Sequence, residues 1–178
     1  KGIDIRSNNL VYHLDQMVKD GLIEKKEDSY SLTVQSEQLI PFFNQMTGKE
    51  VGALPVVLVA IINEGKICLL KRNKRPYQGY WGMIGGKVKM NESIVETALR
   101  EAKEETNLDC EFESINAVVH ERVKENSAYK HAFILFFAKV KAKSDKFREC
   151  DEGKLEWFDL KNLNKDILIP SDYWMLTN

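Results

Sequence analysis

Between Gly85 and Leu108 the chain reads GGKVKMNESIVETALREAKEETNL, which places Glu92, Glu96, Glu101, Glu104 and Glu105 around a single arginine, Arg100. Like charges three or four residues apart on a helix repel by about 0.2–0.5 kcal/mol per pair, so such crowding calls for open solvent or a cation. Hard cations such as Mg²⁺ take oxygen ligands, and a few carboxylates with bound water and substrate phosphates complete their octahedron. Gly85 and Gly86, read as a turn just before the helix, offer a close backbone approach with free carbonyl or amide groups beside those carboxylates. The plainer reading is a solvated acidic face, with Arg100 four residues from both Glu96 and Glu104 and able to pair with either.

The element that must position these residues is a helix. Ser93 and Glu96 form an S-x-x-E capping box, which predicts a start at Ser93 and leaves Glu92 in the preceding turn. At 100° per residue Val95, Ala98, Leu99 and Ala102 gather into one apolar stripe, and Glu101, Glu104 and Glu105 lie in an arc beside it.

Gly86, Glu92 after five residues, and REAKEETNL from Arg100 after seven more resemble the Nudix box, G-x5-E-x7-R-E-U-x-E-E-x-G-U, with U a bulky aliphatic residue. Two positions depart from it. Ala102 stands where a bulky aliphatic is expected, and Asn107 replaces the last glycine, just past the helix end, where asparagine is the best non-glycine residue for a left-handed cap. The resemblance extends over residues 54–176, including GYWGMIGGKV and DEGKLEWFDL.

It implies hydrolysis of a nucleoside diphosphate linked to another moiety. Glu101, Glu104, Glu105 and the Gly85 carbonyl would bind Mg²⁺, or Mn²⁺, and Arg100 and Glu92 would orient the ligand carboxylates. The base would be Glu105 or a downstream glutamate, with Glu152 preferred as extra ligand over Glu156 and Glu121. Members that cleave ADP-ribose tend to carry a proline about fifteen residues after the box, and diadenosine-polyphosphate members a tyrosine slightly later. Here Val123, Lys124 and Asn126 occupy that region, so a nucleoside triphosphate, oxidised ones included, is the expected nucleotide substrate. Lys71, Arg72, Lys74 and Arg75 could reach its phosphates or line a solvated loop. Trp81 or Tyr80 could stack on a base or belong to the core, and His120 and His131 read as structural.

Ahead of this region, Leu10, Leu14, Met17 and Val18 predict an amphipathic helix from Ser7 to Gly21. Two β-prone runs follow in Leu22–Thr33 around a turn at Lys25–Ser29, then a helix stopped or kinked at Pro41. NNLVYHLDQMVKDGLIEKKEDSYSLT resembles the recognition helix and wing of bacterial and archaeal winged-helix regulators, without the helices expected before it. That implies DNA as a partner through residues 7–33, with homodimerisation on a palindromic site, and a second function: a transcription regulator sensing a nucleotide through its Nudix domain. Residues 1–47 hold five Lys/Arg against seven Asp/Glu, a poor charge for holding phosphates.

The expected organisation is a partial winged helix-turn-helix at 1–47, a connector at 48–53 and a Nudix domain at 54–178. The fold class is α+β: an α/β/α sandwich around a mixed sheet, plus the small winged domain. A hairpin at Asn63–Gly65, a short strand over 80–84, strands over 114–123 and 130–140 around a turn at Lys124–Ser127, a strand at 154–160 and a last helix from Pro170 complete it. Lys+Arg 26 against Asp+Glu 27 gives a formal charge of −1 over 178 residues, so no global field recruits nucleic acid or an anionic membrane. Apolar runs such as Leu54–Ile62 fall far short of the roughly 20 residues a membrane span needs. Cys68, Cys110 and Cys150, without a C-x-x-C pair, suggest reduced thiols in the cytoplasm. Lys1 in place of methionine suggests a piece of a longer chain.

Overall fold

The computed structural model describes residues 7–27, 29–39, 52–74, 77–125, 127–148 and 152–178. The chain divides into two compact units, Lys1–Gly52 and Ala53–Asn178.

In the first unit helix α1 (Ser7–Lys19) ends in a left-handed glycine, Gly21, at φ 71°. The Gly21 N–H donates to the Val18 carbonyl at 3.0 Å and the Leu22 N–H to that of Met17 at 2.9 Å, the paired closure of a Schellman motif. Strands β1 (Ile23–Lys26) and β2 (Ser29–Leu32) form the predicted antiparallel hairpin. The Thr33 hydroxyl donates to the Gly21 carbonyl at 2.7 Å, tying the hairpin's end to the helix's end. Residues 34–39 are helical, while Pro41 and most of the 48–53 connector lie outside the described residues. The apolar stripe expected of α1 is not a buried one within this unit, since Leu10 stays 45% exposed.

In the second unit β3 (Leu54–Asn63) and β4 (Lys66–Arg72) form a hairpin whose turn places Glu64 and Gly65 at φ 46° and 77°, the left-handed pair that a two-residue loop requires. The β-branched run of β3 lies at the centre of a mixed sheet. It pairs antiparallel with β4 and β6 (Ile84–Lys87) and parallel with β8 (Ala128–Ala142). Beyond β8 lies β7 (Cys110–Glu125), and β4 also pairs with β5 (Trp81–Gly82) and β9 (Gly153–Asp159). Strands β7 and β8 extend past the predicted limits, closing at Ser127 with φ 67°.

Alternation along β3 sends Val57, Val59 and Ile61 to one face, where they pack with Ala98 and Ala102 of helix α2 (Ile94–Thr106). Ala60 faces the other side with Ile67, Leu69, Leu135 and Met175 of helix α3 (Pro170–Thr177). A helix on each face makes the expected α/β/α sandwich. The strand predicted over 80–84 is broken at Met83, whose N–H leaves the ladder and donates to the Asp172 carboxylate at 2.6 Å. Gly85 and Gly86 do not form a turn. They lie within β6, paired with Leu58 and Val57. Among the described residues no helix is long and apolar enough to cross a membrane.

Candidate active site

Helix α2 begins where the capping box predicts. The Ser93 hydroxyl accepts the Glu96 N–H at 3.2 Å, and the Glu96 carboxylate accepts the Ser93 N–H at 2.8 Å. At the other end Asn107 sits at φ 60° and donates its N–H to the Lys103 carbonyl at 2.9 Å, the left-handed cap that replaces the glycine. Ala98 and Ala102 are fully buried, small enough to let the helix lie close on the sheet, whereas Val95 and Leu99 are half-buried.

The three carboxylates do not share one environment, as the predicted arc suggested. Glu101 and Glu105, one turn apart, turn toward the sheet and are buried, while the Glu104 side chain is 57% exposed. Arg100 organises them. Its guanidinium donates to both oxygens of Glu92 at 2.7 and 2.9 Å, to Glu101, to Glu104 at 3.0 Å and to the Lys87 carbonyl at 3.3 Å. Glu96, expected as an alternative partner, is occupied by the cap.

Gly86 is required by Glu101. A Cβ at Gly86 would lie 1.8 Å from a Glu101 carboxylate oxygen, so any side chain there would expel that group. Glu105 is the most perturbed acid of the cluster: burial first, then the charges of Glu101 and Glu152, push its carboxyl up to about 8. Its Oε2 is buried and has no hydrogen-bond partner. Among the described residues, no three His, Cys, Asp or Glu side chains stand together in chelating positions. Arg100 instead draws three of the carboxylates to itself. A buried carboxylate oxygen without a donor, flanked by two further acids, is nonetheless the donor set that suits a hard divalent cation.

The downstream candidates separate. Glu152 acts on Glu105 and pairs with Lys74 at 3.4 Å. Glu156 pairs with Lys154 at 3.1 Å, and Glu121 accepts the Tyr77 hydroxyl at 3.2 Å, so both are engaged elsewhere. Lys71 and Lys74 are exposed, and Arg75 lies outside the described residues. Trp81 belongs to the core, edge-on to Phe158 at 4.8 Å, and Tyr80 is exposed beside Tyr77. His120 and His131 are exposed strand residues.

Beside Gly85 and Gly86 opens a cavity of about 280 Å³. Its walls are mainly apolar, from Val56, Leu58, Met83, Phe133, Leu135 and Ile169, with Arg72, Tyr77, Glu121 and Asp172 as polar groups. Arg72 also lines a smaller recess with Lys74 and Glu152, so its chain borders both the cavity and the acidic cluster. Asp172 is buried, and burial outweighs the Met83 N–H to push its carboxyl up to about 7. Sequence reading found neither Tyr77 nor Asp172. The only local signal for Asp172 was an acid in the first turn of a helix opened by Pro170, which reads as an ordinary helix start.

A NUDIX domain family model matches residues 53–176. An uncharacterised Nudix hydrolase, YvcI, of Bacillus subtilis (strain 168) is 26% identical over 61% of this chain and 68% of its own length. An ADP-ribose pyrophosphatase of Methanocaldococcus jannaschii is 33% identical over 59% of this chain, which spans 61% of that protein. Among solved structures, a MutT Nudix hydrolase from Burkholderia pseudomallei superposes with a TM-score of 0.61 at 27% identity, covering 70% of this chain and 96% of its own. With the capped glutamate helix, the mixed sheet and the matched span in agreement, the chain belongs to the Nudix hydrolase family.

Proposed function

We propose that the second unit hydrolyses a pyrophosphate linkage in a nucleoside triphosphate, oxidised ones included, with Mg²⁺ or Mn²⁺ as cofactor. The observation that carries this reading is Glu105, whose buried Oε2 lacks a partner next to Glu101 and Glu152. Glu101, Glu104, Glu105, Glu152 and the Gly85 carbonyl would hold the ion, which when bound neutralises phosphate charge and acidifies water. Arg100, fixed by Glu92, holds Glu101 and Glu104 on the cluster's side of the helix. Glu105 or Glu152 accepts the proton of the water that attacks phosphorus as the bridging P–O bond breaks. Arg72 offers charge to the phosphates, and the apolar cavity takes the base. The name of the Methanocaldococcus relative makes ADP-ribose the first competing substrate. A hydrolysis screen with Mg²⁺ across nucleoside triphosphates, ADP-ribose and other nucleotide sugars tests the reading. Turnover of a triphosphate above the rest is expected, and a preference for ADP-ribose would reassign the substrate.

For the first unit the competing regulator reading rests on one observation, the order helix, hairpin, helical turn that a winged helix would have. The excess of acids over bases in residues 1–47 argues against tight DNA binding. Buried Cys68 and half-buried Cys110, both free, fit the reducing cytoplasm.

A further inference from the structure

Tyr77 occupies an unusual backbone position. At φ 64° it is a bulky residue in the left-handed region, where a side chain is rarely placed without a reason elsewhere. The surroundings over-determine it. The Tyr80 N–H donates to the Tyr77 carbonyl at 3.1 Å, closing a turn over 77–80, and the Gly79 N–H to the Arg72 carbonyl at 2.8 Å and the Arg72 N–H to the Tyr80 carbonyl at 2.9 Å pin that turn to the end of β4. Tyr80 packs edge-on against the Tyr77 ring at 6.5 Å. The side chain is directed into the cavity, and its hydroxyl donates to Glu121 of β7 at 3.2 Å, across 44 residues of sequence.

We infer that Tyr77 is a specificity-determining wall of the cavity that contacts the base of the bound nucleotide, and that Glu121 is a positioning residue that holds its ring there. The inference rests on the reading of the cavity as the base site. Aliphatic walls such as Leu58 and Leu135 supply area without direction, whereas a phenol ring fixed at one edge offers a planar face to a planar ligand. Fixing the ring in advance spares the rotamer entropy that binding would otherwise cost. The strained φ is retained because the turn and Glu121 together direct the ring inward.

The test measures binding of nucleoside monophosphates in EDTA and of Mn²⁺ alone, neither of which requires turnover. Tyr77→Ala is expected to raise the Kd of the best monophosphate about tenfold, the weight of one base–aromatic contact, and to flatten the ranking of bases. Glu121→Ala should reproduce most of that loss. Glu121→Gln, which keeps an acceptor for the hydroxyl, should restore binding, and neither Glu121 variant should change Mn²⁺ affinity. Monophosphate binding indifferent to Tyr77→Ala overturns the wall, even if the wild type hydrolyses nucleotides normally. Mn²⁺ binding weakened by Glu121→Ala as much as by Glu105→Gln overturns the positioning role. Binding that responds to Tyr77→Ala in a protein that hydrolyses nothing upholds the wall and overturns the proposed reaction instead.

Discussion

At the scale of single residues, the acids of this domain are sorted by what surrounds them. Glu92 and Glu104 are held by Arg100, Glu96 is spent on a cap, and Glu105 and Asp172 are buried with too few donors to stay comfortably ionised. Asp172 gives a pH prediction independent of any metal. Its folded-state value of about 7 lies above the ordinary 3.8, so the folded protein holds this proton more tightly than the unfolded chain does. Stability should therefore fall as pH rises from about 3.8 to about 7, and level off above. The groups that face it are Glu121, which pushes its carboxyl upward, and Arg72, the Met83 N–H and Ser171, which pull it down. Asp172→Asn keeps an acceptor for the Met83 N–H and removes the charge. Its melting temperature in EDTA should gain on the wild type progressively across that window, and parallel curves would show that Asp172 is ionised throughout.

At the scale of elements, α2 was the most legible part of the chain. Its cap, its register and its final asparagine follow from local rules, which act within one turn and need no tertiary partner. What the register could not show was the split between Glu105 and Glu104, because that depends on how close Ala98 and Ala102 let the helix approach the sheet. The glycine pair was misplaced for a related reason. Glycine reads as a turn signal, yet Gly86 lies in a strand, paired with Val57, and must be glycine there because the Glu101 carboxylate occupies the space of its Cβ. The cavity was illegible, since Tyr77, Glu121 and Asp172 are brought together by pairings far apart in sequence. The cap itself can be tested. Asn107→Gly should leave the melting temperature unchanged or slightly raised, and Asn107→Val should cost about 1 kcal/mol or more through the clash of a β-branched side chain in a left-handed position. Equal melting temperatures for the two variants would refute the cap's importance.

At the scale of the whole molecule, the change near residue 50 from polar, glycine-bearing sequence to a β-branched run marked the boundary that the two compact units share. Composition predicts how the first unit should treat DNA. With acids outnumbering bases in its first unit, this chain should bind duplex DNA only weakly, as measured by fluorescence anisotropy at two ionic strengths. Tight binding that salt does not disturb would contradict the charge argument. The chemistry, by contrast, should reside wholly in the second unit, in the carboxylates that α2 carries beneath the sheet's central strands.

The most direct measurement is steady-state hydrolysis of the best nucleotide substrate with Mg²⁺ by the wild type and by Glu105→Gln, with the melting temperature of each as a control for folding. Glutamine keeps the size of the side chain and removes the charged ligand. The account predicts that kcat falls by about a hundredfold or more while the melting temperature in EDTA holds or rises. Near-normal turnover by Glu105→Gln would contradict it, because the buried oxygen on which the site is built would then have no part in the reaction.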